Sequence, residues 1–375
     1  MPTEWTINGR FLSQTLTGVQ RYAREILMAM DEQLSGSQML RQRVKVELLL
    51  PPDAKAPPLR SIRVKTVGPL TGHAWEQLIL PIHARGGLIS LCNTGPVLKS
   101  RQVVCVHDLN TRMFPQSYSR AFRLLYRIMT PLLVGRVAQV VTVSRFSASL
   151  MENHGLRPRK AIAVIPNGHE HTTRWTPEHT VATASACGPD TIVLLGSNAP
   201  HKNVGLILGM ADQLAEEGFR VALVGSCDPR VFANSSQRAL PSNVMTLGRL
   251  SDDALAALLQ NSLCLAFPSF VEGFGLPPLE AMSLGCPVVT SDRTSLPEVC
   301  GPAALYADPE DPDAWMACFR RLRREEGLRR SLIAAGREQA LRFSWKASAL
   351  DYLELMAAMD SASVMARPAV PAKVA

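Results

Sequence analysis

Short apolar runs recur along the chain and alternate with segments of helical periodicity. In the second half, five such runs each end at a small or turn-forming residue, at 192–195, 221–224, 244–247, 263–267 and 287–290. Continuous apolarity over this length is typical of strands buried on both faces of a parallel sheet. Helical patterns lie between several of the runs, at 203–217, 252–260 and 277–284. This alternation predicts strand–helix–strand units with right-handed crossovers.

The first half repeats the alternation less regularly. Its strand candidates are 5–7, 44–50, 88–91, 102–106, 139–143 and 161–165, and its helix candidates are 19–33, 74–84, 118–135 and 145–154. Two such halves predict an α/β fold with two Rossmann-like, doubly wound parallel sheets. We predict an N-terminal domain over 1–175, a C-terminal domain over 176–342, a helix over 343–360 that returns to the N-terminal domain, and a flexible tail over 361–375.

Composition narrows the function classes. Hydrophobic residues make up 46% of the 375 positions and charged residues 19%, which is ordinary for a globular protein. No apolar stretch reaches the length of a membrane span, and the first residues lack the layout of a signal peptide, so a cytoplasmic protein is expected. The cysteines form no CxxC pair, which favours small buried side chains over disulfides or a zinc site.

Charge is distributed unevenly along the chain. Residues 1–175 carry 23 Lys and Arg against 10 Asp and Glu, a net charge of +13, whereas the remainder carries 17 against 22, a net charge of −5. A basic first half suits an anionic partner such as nucleic acid, an acidic membrane surface or a phosphorylated acceptor. No nucleic-acid-binding motif accompanies the charge, so we expect no nucleic acid. A dinucleotide-dependent dehydrogenase is disfavoured because no GxGxxG follows a strand.

The strongest local motif is EGFGLPPLE at residues 272–280, directly after a predicted strand. Its glycines allow a tight turn close to a ligand, and its two prolines suit the first turn of a helix. The sequence therefore predicts a helix N-terminus whose outward amides bind a diphosphate, those of Phe274, Gly275 and Leu276. We place Glu280 in the first helical turn, near ribose hydroxyls, and Glu272 on the loop, nearer the reacting group. The alternative is a helix-capping glutamate and a solvated loop glutamate.

This motif resembles the signature of the retaining glycosyltransferases of family 4, which have the GT-B fold. Further segments are similar to that family or to its branch that builds bacterial surface polysaccharides: 8–10, 17–22, 107–109, 143–146, 165–168, 281–289 and 295–299. The resemblance covers about residues 4–355. It implies two Rossmann-like domains facing a central cleft, the N-terminal one binding the acceptor and the C-terminal one the nucleotide sugar. It also implies no cofactor and no metal; Asp311 and Asp313 form an Asp-x-Asp pattern that is typical of a helix cap.

The resemblance further implies roles for individual residues. Lys202 stabilises the leaving diphosphate, and a cation there acts mainly on the transition state. Ser197 stands where many members have an arginine, so Lys202 acts alone or with His201 or Arg249. His107 contacts the 6-hydroxyl side of the donor sugar, with Asp108 orienting its ring or capping the segment. The implied catalytic set is His107, Lys202 and Glu272. The implied donor-binding set is Gly18, Ser197, Lys202, Glu272, Gly273, Phe274, Gly275, Leu276 and Glu280.

The implied reaction is hexosyl transfer with retention at the anomeric carbon, in bacterial surface polysaccharide synthesis. GDP-mannose is the favoured donor, and UDP-glucose or another UDP-sugar is the alternative. The implied acceptor is a lipid-linked (polyprenyl diphosphate) oligosaccharide. A sugar-nucleotide 2-epimerase or a retaining phosphorylase is the rival enzyme class on this architecture.

The basic segment 119–136, predicted to be largely helical, mixes arginines with apolar residues. We predict that Arg120, Arg123 and Arg127 contact an anionic leaflet or the lipid diphosphate of the acceptor. The protein is then expected at the inner face of the plasma membrane as a peripheral protein. The alternative is a packed amphipathic helix with solvated arginines.

Overall fold

Two parallel sheets organise the chain in the structure, a computed structural model that describes residues 3–196, 199–225 and 241–365. The first sheet has seven strands in the order β3-β2-β1-β4-β5-β6-β7. Their bounds are β1 (Thr3–Asn8), β2 (Val44–Leu50), β3 (Arg63–Thr66), β4 (Gly87–Ser90), β5 (Gln102–Cys105), β6 (Gln139–Thr142) and β7 (Ala163–Val164). All of its pairs are parallel, and in β1 the residues Trp5 to Ile7 pair with both β2 and β4.

The second sheet has six strands in the order β10-β9-β8-β11-β12-β13, again all parallel. Their bounds are β8 (Gly188–Leu195), β9 (Arg220–Val224), β10 (Val244–Gly248), β11 (Ser262–Phe267), β12 (Val288–Ser291) and β13 (Ala304–Ala307). Its central strands are apolar and buried on both faces because helices cover the sheet from either side.

The helices fill the connections between strands. Those of the first half are α1 (Gly18–Gly36), α2 (Gln38–Arg43), α3 (Gly72–Ala74), α4 (Leu80–His83), α5 (Asn110–Met113), α6 (Arg120–Arg136) and α7 (Arg145–Asn153). Those of the second half are α8 (Val181–Ala186), α9 (Val204–Gly209), α10 (Ala211–Glu216), α11 (Asp252–Gln260), α12 (Leu276–Ser283), α13 (Leu296–Cys300), α14 (Pro312–Arg324), α15 (Glu326–Leu341) and α16 (Trp345–Met365). Asp311 caps α14 through the amide of Ala314, which confirms the predicted cap. None of these described helices is long and apolar enough to cross a bilayer.

Strand order confirms the predicted fold class and indicates which edge of each sheet is the candidate for ligand binding. Each sheet reverses its order beside its first strand, between β1 and β4 and between β8 and β11. Ligands of such sheets bind beyond the carboxyl ends of the strands at this reversal. The segments that follow β5, β8 and β11 therefore carry the candidate chemistry.

Several elements differ from the sequence prediction, among them two strands and one helix. β3 was not predicted because its four residues are all exposed at the sheet edge and show no buried apolar run. β13 was missed because it has only four residues, and its two larger side chains, Leu305 and Tyr306, are only partly buried. The helix predicted over 203–217 is instead two helices, α9 and α10, that meet at Met210.

The last helix, α16, packs along α1 of the first half. The hydroxyl groups of Tyr22 and Tyr352 are 3.0 Å apart, and the indole N–H of Trp5 donates to the carboxylate of Asp360 at 3.2 Å. Buried residues of α16 share one apolar core with β1 and α1. The segment after residue 341 therefore completes the core of the first sheet.

Candidate active site

Lys202 and Glu272 form an ion pair at the carboxyl end of the second sheet. Lys202 ends a short 3-10 turn after β8, and Glu272 lies on the loop after β11. The Nζ of Lys202 is 2.6 Å from Oε1 of Glu272, whose side chain is about one-tenth exposed. The loop is fixed where Phe270 N–H donates to the carbonyl of His201 at 2.8 Å. Among the described residues, none makes a hydrogen bond to Oε2 of Glu272.

Gly273 brings this loop against the first sheet. A Cβ atom at Gly273 would lie 2.5 Å from the carbonyl oxygen of His107, so a larger residue fits only if the two segments move apart. Its own carbonyl accepts from Ser144 Oγ at 2.6 Å and Ser147 Oγ at 3.1 Å, and Ser147 also donates to the His107 carbonyl at 3.0 Å. The structure thus pairs Lys202 with Glu272 and brings the backbone of His107 against the loop that carries Glu272.

His107 is buried directly after β5, with its ring edge against Tyr22. Its Nε2 is 2.8 Å from the carbonyl of Leu91. A carbonyl only accepts, so Nε2 carries the proton and Nδ1 is an acceptor to which no described residue is bonded. Burial lowers the pKa of His107 to about 4, partly opposed by the Leu91 hydrogen bond. At neutral pH the ring is therefore uncharged and can accept a hydroxyl hydrogen bond.

Asp108 caps the following segment instead of orienting the imidazole, because its Oδ1 accepts the N–H of Asn110 at 2.9 Å. Burial raises the pKa of its carboxyl, and the nearby Glu272 raises it further, while Asn110 and Lys202 oppose the shift. Burial and the nearby Asp108 raise the pKa of Tyr118, which belongs to the same cluster. Sequence reasoning did not assign a site role to Asn110 or Tyr118, which are neighbours of the motif but not part of it.

The predicted helix tip is present at the start of α12. Gly275 has a φ of 105°, which favours glycine, and α12 begins at Leu276. Phe274 is buried, and its ring packs edge-on against Phe343 at 5.4 Å. Any ligand contact of Phe274 is therefore through its backbone. Glu280 is the fifth residue of α12 and lies in the second turn, so its placement in the first turn was wrong.

Glu280 is held by residues of the first half and of the connecting segment. The Nε2 of His171 is 2.8 Å from Oε1 of Glu280, and the Nε of Arg21 is 3.7 Å from the same oxygen. Arg21 also makes a two-bond ion pair with Asp252 at 2.7 and 3.0 Å. No described residue bonds Oε2 of Glu280. Both glutamates of the motif thus have one oxygen fixed by protein and one without a described protein partner.

The other predicted donor contacts differ in their surroundings. Gly18 is exposed at the start of α1, with open space around it, and Ser197 lies outside the described residues. His201 is packed between the halves, 3.1 Å from Ser117 Oγ and beside Phe114. Burial, with a further contribution from neighbouring Lys202, lowers the pKa of His201 to about 4, so it does not supply a second cation at neutral pH.

The predicted basic helix, α6, has an exposed apolar face and an arginine-rich cavity. A cavity of about 660 Å³ is lined by Thr111, Arg112, Pro115, Arg120, Arg123, Leu124 and Arg127. Large apolar side chains are exposed along the same helix: Phe122, Leu124, Leu125, Ile128 and Leu132. The three predicted acceptor arginines therefore lie together, next to apolar groups that face solvent.

Part of the second half of the chain is similar to a known protein family. Residues 177–339 match the family model described as Glycosyl transferases group 1. Over this range, which is less than half of the chain, the sequence is similar to the group 1 glycosyl transferases. The predicted recognition is thereby confirmed, and the matched range contains Lys202 and both glutamates of the motif.

Curated relatives of the family support the same enzyme class. The O-antigen chain mannosyltransferase B of Escherichia coli is 48% identical over 100 residues, which is 27% of this chain and 26% of that protein. The O-antigen chain mannosyltransferase RfbU of Salmonella typhimurium is 26% identical over 236 residues, which is 61% of this chain and 63% of that protein. The chain thus spans less than two thirds of the length of each of these relatives.

A solved structure supports the fold over nearly the whole chain. HepE of Anabaena, in complex with UDP-glucose, superposes with a TM-score of 0.65 at 15% identity, covering 96% of this chain and 100% of that one. At this identity the likeness concerns the fold, and it confirms the predicted GT-B architecture.

Proposed function

We propose that this protein is a retaining glycosyltransferase that moves a hexose from a nucleotide sugar to an oligosaccharide acceptor. The observation that carries the proposal is the pair of Lys202 and Glu272 at 2.6 Å, set against the His107 segment where the two sheets meet. A cation and a carboxylate at this place suit a substrate with a diphosphate beside a sugar.

The free acceptor atoms support the binding of a sugar nucleotide. Oε2 of Glu272 and Nδ1 of His107 have no described partner, and both accept hydrogen bonds from hydroxyl groups. Glu272 holds the 3- and 4-hydroxyls of the sugar, and His107 holds its 6-hydroxyl side. Oε2 of Glu280 is left for the ribose, and the backbone before α12 faces the diphosphate.

The proposed chemistry needs no enzymic nucleophile. The bond between the anomeric carbon and the diphosphate oxygen breaks, and the acceptor oxygen attacks from the same face. The acceptor proton passes to the leaving phosphate oxygen, which gives a nucleoside diphosphate and a glycoside of retained configuration. Negative charge grows on the diphosphate during this step, and Lys202 stabilises it.

GDP-mannose is the proposed donor, supported by the mannosyltransferase relatives. The UDP-glucose complex of HepE supports a UDP-sugar as the alternative. A thermal-shift panel of GDP, UDP, ADP and dTDP separates the two, because a ligand that binds the native state raises its stability. We expect GDP to give the largest shift, and a larger shift with UDP would replace the donor assignment.

The reaction class is tested with the matching radiolabelled nucleotide sugar and a bacterial lipid extract. Labelled glycolipid is expected, with the anomeric configuration of the donor by NMR. Free epimerised nucleotide sugar without glycolipid would indicate a 2-epimerase instead, and an inverted linkage would contradict retention.

We further propose that α6 brings the enzyme to an anionic membrane surface carrying a lipid-linked acceptor. Its arginines supply positive charge, and its exposed apolar side chains can enter the lipid interface. Changing Arg120, Arg123 and Arg127 to Ser is expected to weaken sedimentation with phosphatidylglycerol vesicles. A matched control makes the same change at three exposed arginines of the second half, Arg321, Arg324 and Arg330. Equal sedimentation of both variants would contradict the proposed surface.

A further inference from the structure

His171 lies in the segment that connects the two sheets, in a 3-10 turn over Glu170–Arg174. Its side chain is fully buried, and its ring packs between Trp175 at 5.3 Å and Trp345 at 5.8 Å. Trp345 is the first residue of α16. A histidine so enclosed cannot turn freely, so its two ring nitrogens are aimed at fixed partners.

The partners of His171 determine which nitrogen carries the proton. The indole Nε1 of Trp345 is 2.9 Å from Nδ1 of His171, and an indole N–H only donates. Nδ1 is therefore the unprotonated acceptor, and the ring proton is on Nε2. That proton is donated to Oε1 of Glu280 at 2.8 Å. Trp345, His171 and Glu280 thus form a hydrogen-bond chain with one direction.

The chain orients Glu280 for a ligand. Because Oε1 is occupied by His171 and approached by Arg21, the carboxylate cannot rotate, and Oε2 is left without a described partner. A carboxylate oriented in this way accepts from ribose hydroxyls at a lower entropy cost than a mobile one. Resting on the proposed function, we propose that His171 is a positioning residue that holds Glu280 for the ribose of the donor nucleotide.

The test compares two ligands that differ only at the ribose, GDP and 2′,3′-dideoxy-GDP, by calorimetric titration. The uridine pair replaces them if UDP is the better ligand. The wild type is expected to bind the ribonucleotide at least about tenfold more tightly, because hydrogen bonds to a charged group contribute strongly. His171→Phe, which keeps an aromatic ring but removes both ring nitrogens, is expected to remove most of this ratio of the two affinities and to leave the affinity for the dideoxy ligand unchanged within about twofold.

Two further variants distinguish positioning from a general structural effect. His171→Gln keeps an N–H donor for Glu280 and is expected to retain most of the ratio. His169→Phe makes the same substitution two residues away, where the ring contacts the carbonyl of Phe343 at 2.7 Å, and is expected to retain the full ratio. In turnover, His171→Phe is expected to raise KM for the donor with kcat nearly unchanged, since the ribose does not react.

The outcomes separate this inference from the proposed function. A folded His171→Phe protein that keeps the full ratio, or that loses affinity for both ligands equally, overturns the positioning role while nucleotide binding stands. Equal wild-type affinities for the two ligands also overturn it. A wild type that binds no nucleotide overturns the proposed function as well. If His171→Phe does not fold, Trp345→Phe is measured instead. It is expected to lose a smaller part of the affinity ratio, and an undiminished ratio would contradict the positioning role of His171.

Discussion

Replacing Gly273 with alanine tests whether the contact between the two halves sets the reacting geometry. The added Cβ would lie 2.5 Å from the backbone oxygen of His107, whereas ordinary contact begins at 3.4 Å, so the two segments must separate by 0.9 Å. Gly273 does not have a positive φ, so alanine introduces no backbone strain of its own. Neither backbone atom can rotate away, and the displacement passes to Glu272 and His107 on either side of the contact.

The expected cost follows from that distance. A misplacement of about 1 Å between reacting groups costs about 10²-fold in rate, so kcat/KM for Gly273→Ala is expected to fall roughly 100-fold. Weakened bonds from Ser144 and Ser147 to the Gly273 carbonyl are expected to lower stability by about 1–3 kcal/mol. Initial rates over a range of donor concentrations and thermal unfolding measure the two effects. The control is Gly209→Ala, where the Cβ meets open space and no loss is expected. A kcat/KM within about threefold of wild type would refute the geometric argument.

Three more predictions concern charged groups of the site. Lys202→Met is expected to lower kcat by about 10²–10³-fold, because the leaving diphosphate loses its cation. Lys202→Arg is expected to have an intermediate kcat. Initial rates measure both, and an unchanged kcat of Lys202→Met would contradict the role. His107 has its pKa lowered to about 4 by burial, so between pH 4 and 6.5 the unfolded chain binds a proton that the native state does not. The contribution of this group to the free energy of unfolding is therefore complete above pH 6.5 and decreases as the pH falls, by roughly 3 kcal/mol at pH 4. The melting temperature of His107→Gln is expected to decline less steeply with falling pH than that of the wild type. Parallel curves of melting temperature against pH for the two proteins would refute the assignment. Arg21→Met and Asp252→Asn are expected to be non-additive in unfolding free energy by about 1 kcal/mol, since their two-bond ion pair joins α1 to α11; additive effects would mean that the pair contributes nothing.

The sheet cores were predictable because each buried strand shows as an apolar run. β11 is buried at every position and β12 likewise, and both were found within about one residue of their bounds. β3 has no such signal, since all four of its residues are exposed. The break at Met210 has only a weak sequence signal, the preceding Gly209, because the apolar spacing continues across it.

The motif residues of the candidate site were found from local spacing, whereas their partners were not. Glu272 and Glu280 are separated by seven intervening residues in one recognisable segment. His171 meets Glu280 across 109 positions of the chain, and Arg21 meets Asp252 across 231. Nothing local to either residue indicates these contacts, which arise when the chain crosses between the sheets.

The chain crosses between its halves twice, and the two crossings contact each other. His169 contacts the carbonyl of Phe343, and Glu170 accepts from the Trp345 N–H at 2.8 Å and from the Ser344 hydroxyl. A fragment that stopped near residue 175 would leave the Tyr22 face of α1 uncovered, since Tyr352 reaches it from the far end of the sequence. The core of the first sheet is consequently assembled from two separated stretches, so the first half without α16 is expected to lack part of its core. Supplying residues 341–365 as a separate peptide would be the way to restore such a fragment.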